Sequence, residues 1–238
     1  MIPLRDANPT RRTAVLTLAL VVACCVTFGW ELGLLARGDV AFEAAITEWG
    51  LVPGRLTAAW SRGDFLSHDS VTLLSSQFLH AGWLHLLGNM LYLWIFGNNV
   101  EDRLGRLGFL VFYLTGGVLA GLAQVAIDPT SPIPTIGASG AIAATLGAYL
   151  VFFPRARVTS LVFLGFFYQL VNIPAVFVLG AWFILQLVEG VGSLGVSQGG
   201  GVAFFAHIGG FVFGAVVAWL ITLMGSGSNR SSTRMGVG

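Results

Sequence analysis

The sequence IPTIGASGAIAATLGAYLVFFPRAR, residues Ile133–Arg157, contains an apolar run that begins at a serine and ends just before two arginines. From Ser139 to Phe153 the run carries no charged side chain, which is typical of a helix inside a bilayer. Ser139 is flanked by small residues in the motif Gly-Ala-Ser-Gly, Gly137–Gly140. A hydroxyl at this place is either a helix cap or part of a polar site within the membrane.

The composition of the whole chain indicates a membrane protein. Of its 238 residues, 55% are hydrophobic and only 10% are charged, whereas soluble domains carry about 25% charged residues. We therefore expect an integral, multi-pass membrane protein. All twelve basic residues are arginines and the formal net charge is +1. No basic stripe is present, so we expect no nucleic-acid partner, and no motif indicates a cofactor.

Apolar runs of suitable length predict an all-α membrane protein, a bundle of six transmembrane helices. The predicted spans are Thr13–Leu35, Leu84–Val100, Leu107–Ile127, Ser139–Phe153, Pro174–Glu189 and Val202–Met224. The chain would then have a cytoplasmic N-terminal segment (residues 1–12), a membrane domain (13–224) with an outer-face loop (36–83), and a flexible cytoplasmic tail (225–238).

The arginines predict the orientation. With both termini in the cytoplasm, nine arginines lie in inner segments and three in outer segments, which satisfies the positive-inside rule for an N-in, C-in arrangement. We expect the plasma membrane, or inner membrane, of a bacterial cell. The apolar segment Val158–Val171 is interrupted by Asn172 and Pro174 before the fifth span. It is either an interfacial or re-entrant stretch or part of a longer, kinked fifth helix.

Four polar side chains in the predicted spans lie at nearly one depth. Ser139 and His85 each precede the first charged residue at the inner end of their spans by 16 residues, or about 24 Å. His207 precedes the last apolar residue of its span by 17 residues, and Asn89 lies one turn deeper than His85. Singly, such residues are more often caps or interhelical hydrogen-bonding groups. Their shared depth indicates a common site.

Small residues follow both Ser139 and His207 at helical spacing. They are Ala143 and Gly147 after the serine, and Gly210 and Gly214 after the histidine. Such stripes let two helix backbones approach closely. The approach would bring the serine hydroxyl to the imidazole.

This set of residues permits nucleophilic catalysis. A serine needs a neighbouring base at neutral pH, and His207 is the candidate because burial disfavours a charged imidazole. No carboxylate is placed to orient it, so we predict a Ser139–His207 dyad. The Ser139 N–H, at a helix N-terminus, and the side chains of His85 and Asn89 can donate to an oxyanion. A metal site at His80 and His85 lacks a suitably spaced third ligand, so we expect none.

Four motifs, in this order along the chain, resemble those of rhomboid intramembrane serine proteases. HAGWLHLLGNM (His80–Met90) is similar to the family's H-x4-H-x3-N pattern, and VEDRLGRLGFLVFYLTGG (Val100–Gly117) to its junction between helices two and three. Gly137–Gly140 is similar to the G-x-S-G motif, and AHIGGFVFG (Ala206–Gly214) to the histidine helix. The likeness covers the chain from Leu51 to Met224.

The resemblance implies a six-helix fold with a water-filled cavity that opens outward. It implies Ser139 as nucleophile, His207 as base, and His85, Asn89 and the Ser139 amide as oxyanion donors. The implied partners are the lipid bilayer and single-span membrane proteins, cut in or near the bilayer after a small residue. The chain departs from some members at Ala143, where they carry an aromatic residue that packs on the imidazole. The outer-face loop also has no clear match to the loop signature of the best-known members.

Two other classes of protein remain as alternatives. A catalytically inactive relative that binds membrane clients as an adaptor would be expected to lose a site residue, and all four are present. A channel or transporter would be expected to show charged pore residues or internal repeats, and the sequence shows neither. The Gly-rich stretch Val191–Gly201 is either the mobile flap over substrate entry that the resemblance implies or a flexible linker.

Overall fold

The computed structural model describes residues 1–164, 167–193 and 203–232, and it is mostly helical. In chain order the helices are α1 (Val15–Leu35), α2 (Asp39–Trp49), α3 (Pro53–Ser61), α4 (His68–Ser75), α5 (Trp83–Tyr92), α6 (Asn98–Leu104), α7 (Arg106–Ile127), α8 (Ser139–Phe152), α9 (Ala175–Ser193) and α10 (Phe204–Ser232). A 3-10 turn, Ser76–Phe78, follows α4, and a π-helical turn, Leu93–Gly97, joins α5 to α6. The strands are β1 (Ile2–Asp6), β2 (Arg157–Leu164) and β3 (Phe167–Pro174).

Among the described residues, four helices are long and apolar enough to cross a membrane: α1, α7, α9 and the Phe204–Met224 part of α10. They correspond to four of the six predicted spans. The predicted second span is a continuous helical run through α5, the π-helical turn and α6, and the predicted fourth span is α8, with 14 residues. The helices thus support a multi-pass membrane bundle, while the count of six spans and the N-in, C-in orientation stay predictions.

Helix α8 lies at the centre of the bundle. Every residue from Gly140 to Tyr149 is buried, and the helix packs on α7, α9 and α10. Its contact with α10 is backbone to backbone. A Cβ added at Gly210 would collide with the carbonyl oxygen of Gly140, and one added at Gly214 would collide with that of Ala144. The close approach predicted from the small residues is confirmed.

The predicted outer-face loop contains three short helices, α2 to α4. From this region Leu51, Leu56 and Leu73 pack with Val125 of α7 in a small apolar cluster. Leu51 also pairs with Thr135 through two backbone hydrogen bonds of 3.1 and 2.8 Å. This pairing holds the segment of chain that leads into α8.

A three-stranded antiparallel sheet shows that the all-α prediction is wrong. The order is β1-β2-β3, and Val158 of the central strand pairs with Asp6 on one side and Ile173 on the other. The described residues of the segment predicted as an interfacial or re-entrant stretch, or as part of a longer, kinked fifth helix, therefore form two paired antiparallel strands, so the kinked-helix alternative is wrong. The β-branched and aromatic residues of β2, RVTSLVFL, favour a strand. The N-terminal segment, predicted only as cytoplasmic, supplies the third strand.

Helix α10 extends beyond its predicted boundary. It continues past Met224 to Ser232, so the first part of the predicted flexible tail is helical. Residues 233–238, and residues 194–201 of the predicted flap or linker, lie outside the described residues.

Candidate active site

Ser139 and His207 meet at the N-terminal ends of two packed helices. Ser139 is the first residue of α8, and His207 lies in the first turn of α10. The Ser139 Oγ and His207 Nε2 atoms are 2.8 Å apart, which is a hydrogen-bonding distance. The structure thus brings together the two side chains predicted as nucleophile and base, and the imidazole is buried.

Backbone contacts hold both helix ends in place. Just before α8, the Gly137 N–H donates to the Ser76 carbonyl oxygen over 2.8 Å. At the start of α10, the Ala206 N–H donates to Gln124 Oε1 over 3.3 Å. Gln124 belongs to α7, and its side chain thereby satisfies one of the backbone N–H groups in the first turn of α10 that have no partner within the helix. The hydroxyl and the imidazole are therefore carried by anchored helix ends.

His85 and Asn89 pack against the backbone that leads to Ser139. Gly137 has a φ of +121°, a conformation that residues with a Cβ rarely adopt. A Cβ built at Gly137 would lie 2.7 Å from Cε1 and Nε2 of His85 and 3.7 Å from Asn89 Nδ2. Glycine is therefore required here both by its backbone conformation and by the closeness of the two side chains.

Asn89 presents a buried N–H donor. Its exposed fraction is 8%, and its Nδ2 atom has no hydrogen-bond partner among the described residues. An unpaired buried donor costs on the order of 1–3 kcal/mol, so a functional use is a physical reason for its presence. A developing oxyanion is a group that such a donor, together with the Ser139 N–H, can bind.

His80 holds the chain that enters α5. Its backbone N–H donates to the carboxylate of Glu31, with distances of 3.0 and 3.2 Å to the two oxygens. Its Nδ1 lies 3.1 Å from the Phe78 carbonyl oxygen, so Nδ1 is the donor. Burial is the main cause that lowers the pKa of His80 to about 4, and the charge of His85 is the second. This imidazole is therefore neutral at neutral pH. Within the described residues, no three His, Cys, Asp or Glu side chains are grouped as metal ligands.

Two residues of α9 that were not predicted from the sequence contact the imidazole of His207. Gln186 Oε1 lies 2.6 Å from His207 Nδ1. The ring centroids of Trp182 and His207 are 5.7 Å apart, with an interplanar angle of 37°. The sequence contains one indication that Gln186 belongs to the site. Like Asn89, it is an uncharged polar residue inside an apolar span.

A comparison with known protein families agrees with the motifs. The family model named Rhomboid domain matches residues 67–223, which is more than half of the chain and includes all four predicted site residues. The chain belongs to the rhomboid family. The resemblance stated from the sequence is thereby confirmed, and Ser139 and His207 of this rhomboid both lie within the matched domain.

This rhomboid is similar to curated proteins of several organisms. It is 27% identical to "Rhomboid protein 1, mitochondrial" of Saccharomyces cerevisiae, over 65% of this chain and 42% of that protein. It is 31% identical to "Rhomboid-like protein 11, chloroplastic" of Arabidopsis thaliana, over 65% of this chain and 54% of that protein. It is 36% identical to "Rhomboid protease GluP" of Bacillus subtilis, over 56% of this chain and 25% of that protein. The chain thus spans between a quarter and about half of the length of these relatives.

Proposed function

We propose that this rhomboid is an intramembrane serine endopeptidase, which hydrolyses peptide bonds of membrane-anchored, single-span proteins in or near the bilayer. Ser139 is the nucleophile and His207 the general base. The observation that carries the proposal is the 2.8 Å contact between Ser139 Oγ and His207 Nε2 at the ends of two packed helices. Membership of the rhomboid family and the similarity to a protein named as a rhomboid protease support it.

The proposed reaction begins with proton transfer from the Ser139 hydroxyl to His207 Nε2. As the proton moves, Oγ forms a bond to the substrate carbonyl carbon, and the C=O electron pair moves onto the oxygen. The tetrahedral intermediate then breaks its C–N bond, and His207 gives the proton to the leaving amine. Water repeats the same steps on the resulting ester, with His207 again as base, and releases the second product and the free serine.

The oxyanion of the intermediate would be bound by the Ser139 N–H and the side chains of His85 and Asn89. The Ser139 N–H lies at the start of α8, where N–H groups lack helical partners and the helix dipole is positive. Asn89 Nδ2 is an unpaired buried donor within the described part of the chain. Loss of one such donor typically lowers turnover by about 10²–10³-fold.

The apolar surroundings of the site favour a substrate that is itself anchored in the bilayer. Helix α9, whose Gln186 and Trp182 contact His207, is long and apolar enough to span. It presents exposed apolar side chains, among them Phe177, Ile184 and Val188. These side chains lie on the side of α9 opposite Gln186 and Trp182, so a single-span protein can contact α9 there while its own apolar helix stays in lipid.

In the proposed arrangement the chain crosses the membrane six times, with both termini in the cytoplasm. The run from α5 to α6 and helix α8 are the second and fourth crossings, and the arginine distribution favours this orientation. The first two relatives are named mitochondrial and chloroplastic. The comparisons therefore do not support the bacterial membrane expected from the sequence.

Cleavage by the purified full chain tests the proposed activity. The chain is reconstituted into liposomes with a single-span protein that has small residues near one end of its span, and the fragments are separated on gels. We expect the wild type to cleave and Ser139→Ala to be inactive while its thermal midpoint is unchanged. Ser61→Ala is the matched control, because Ser61 lies on the exposed face of α3, and it should keep full activity.

A fluorophosphonate probe supplies a second measurement. We expect it to label the wild type at Ser139 and to label His207→Ala far more slowly. Equal cleavage by the wild type and Ser139→Ala would contradict the assignment of the nucleophile. Stable binding of the single-span protein without any cleavage would instead favour the adaptor alternative.

A further inference from the structure

Helix α9 places two side chains on His207, and neither is used in the mechanism above. Gln186 Oε1 lies 2.6 Å from the Nδ1 atom, and the Trp182 ring packs at 5.7 Å with a tilt of 37°. The two residues are four positions apart and so share one face of the helix. Gln186 is buried. With a partner on each nitrogen and a ring against its plane, the imidazole has little freedom to rotate.

The chemistry of the amide determines which nitrogen of His207 is protonated. A carboxamide oxygen only accepts hydrogen bonds, so the Nδ1 atom facing Gln186 Oε1 must carry the proton. Nε2 of the neutral ring is then unprotonated, and it faces the Ser139 hydroxyl at 2.8 Å. In this tautomer Nε2 can take the serine proton. If the amide were turned over, its NH2 group would meet Nδ1, Nε2 would carry the proton, and the ring could not act as base.

We propose that Gln186, supported by Trp182, is a positioning residue that holds His207 in the tautomer and orientation of a general base. This inference rests on the protease function proposed above. In a serine–histidine–aspartate triad a carboxylate has this role. A carboxylate is more costly to bury in apolar surroundings than a neutral amide. The site is then a serine–histidine pair with a neutral third member, where the sequence predicted a dyad alone.

In this chain the aromatic contact with His207 comes from α9 and not from α8. Ala143 of α8 is fully buried, and a Cβ built at Gly210 of α10 would lie only 3.3 Å from the Cβ of Ala143. Position 143 thus lies at the contact between the two helices that carry Ser139 and His207, and its methyl group places no ring on the imidazole. Trp182 supplies the ring from a third helix without entering this contact.

Two substitutions at Gln186 distinguish positioning from packing. Gln186→Leu keeps the size of the side chain but removes the acceptor, and we expect kcat to fall by about 10- to 100-fold with KM nearly unchanged. Gln186→Glu restores an acceptor oxygen, so its kcat should exceed that of the leucine variant. The acidic limb of its pH–rate profile should also move to higher pH, because a nearby carboxylate favours the imidazolium ion.

If Gln186 only packs against or links helices, the kcat values of the two variants should rank in the opposite order. Leucine would then be tolerated in the apolar surroundings, whereas glutamate would be the damaging change because it buries a charge. That order would overturn the proposal. Glu189→Gln is the matched control, because Glu189 is an exposed polar residue of α9 outside the apolar surface described above, and it should keep the wild-type kcat and KM. A similar loss of kcat in this control would assign the effect to disturbance of α9.

The tautomer can also be measured without any turnover. Ring ¹⁵N chemical shifts are recorded on the full chain labelled at histidine, with the His207 signals assigned by their loss in His207→Ala. We expect a protonated Nδ1 and an unprotonated Nε2 in the wild type, and a mixture of tautomers in Gln186→Leu. If these shifts are found but no substrate or probe reacts, the protease function fails and the tautomer assignment stands. If Gln186→Leu keeps both its activity and its shifts, the positioning role alone is overturned.

Discussion

The backbone contact between α8 and α10 makes Gly210→Ala a direct test of how Ser139 and His207 are brought together. A Cβ at Gly210 would collide with the carbonyl oxygen of Gly140. A carbon–oxygen contact of this kind needs about 3.3 Å, so the helices must separate by about 1 Å to relieve the collision. Added to the 2.8 Å between Oγ and Nε2, this displacement takes the pair to about 3.8 Å, beyond hydrogen-bonding range.

The same displacement should affect activity far more than stability. A misplacement of about 1 Å at a reacting group lowers the rate by about 10²-fold. Overpacking costs about 1–3 kcal/mol of folding free energy, but alanine is better than glycine inside a helix by about 1 kcal/mol. The net destabilisation expected for Gly210→Ala is therefore only about 0–2 kcal/mol.

The assay is the rate of fluorophosphonate labelling at Ser139, measured beside thermal unfolding in detergent. Gly210→Ala should be labelled about 100-fold more slowly than the wild type, while it remains folded. Gly180→Ala is the matched control, since within the described residues no atom outside its own stretch of helix lies within 4 Å of a Cβ built at Gly180 of α9. Labelling of folded Gly210→Ala at the wild-type rate would refute the claim that this contact sets the distance from Ser139 to His207.

Two further predictions concern Asn89 and Asp6. Asn89→Ala is expected to lower kcat by about 10²–10³-fold with little change in KM, and a change in KM alone in steady-state assays would argue against an oxyanion role. Asp6 accepts hydrogen bonds from Tyr149 and Asn99, and burial raises its pKa above the ordinary 3.8. A carboxyl group whose pKa is higher in the folded chain than in the unfolded chain contributes its full stabilisation when the pH is below the pKa of the unfolded chain. This contribution is lost as the pH rises through the pKa of the folded chain. The thermal midpoint of the wild type should therefore fall as the pH rises from about 4, and the fall should be smaller in Asp6→Asn. An equally steep fall in the variant would exclude Asp6 as its source.

The membrane bundle and the residues of the candidate site other than Gln186 and Trp182 could be predicted because they depend on local geometry. A helix rises by a constant amount per residue, so counting positions placed Ser139, His85 and His207 at one depth. The glycines and alanines that follow Ser139 and His207 indicated that their helices touch, and α8 and α10 do so through Gly210 and Gly214. These properties are carried by the order of residues within one segment.

The contact between Gln186 and His207 and the sheet depend on how distant segments pack. Depth along a helix does not say which way α9 is turned about its own axis, so it does not reveal that Gln186 and Trp182 face the imidazole. The pairing of Ile2 with Leu161 joins segments far apart in the chain. The β-branched residues of β2 favour a strand, but an apolar segment can also form a membrane helix, so its partner strands were needed to decide. Side-chain neighbours across elements are decided by the packing of all segments at once, and only the tertiary structure records it.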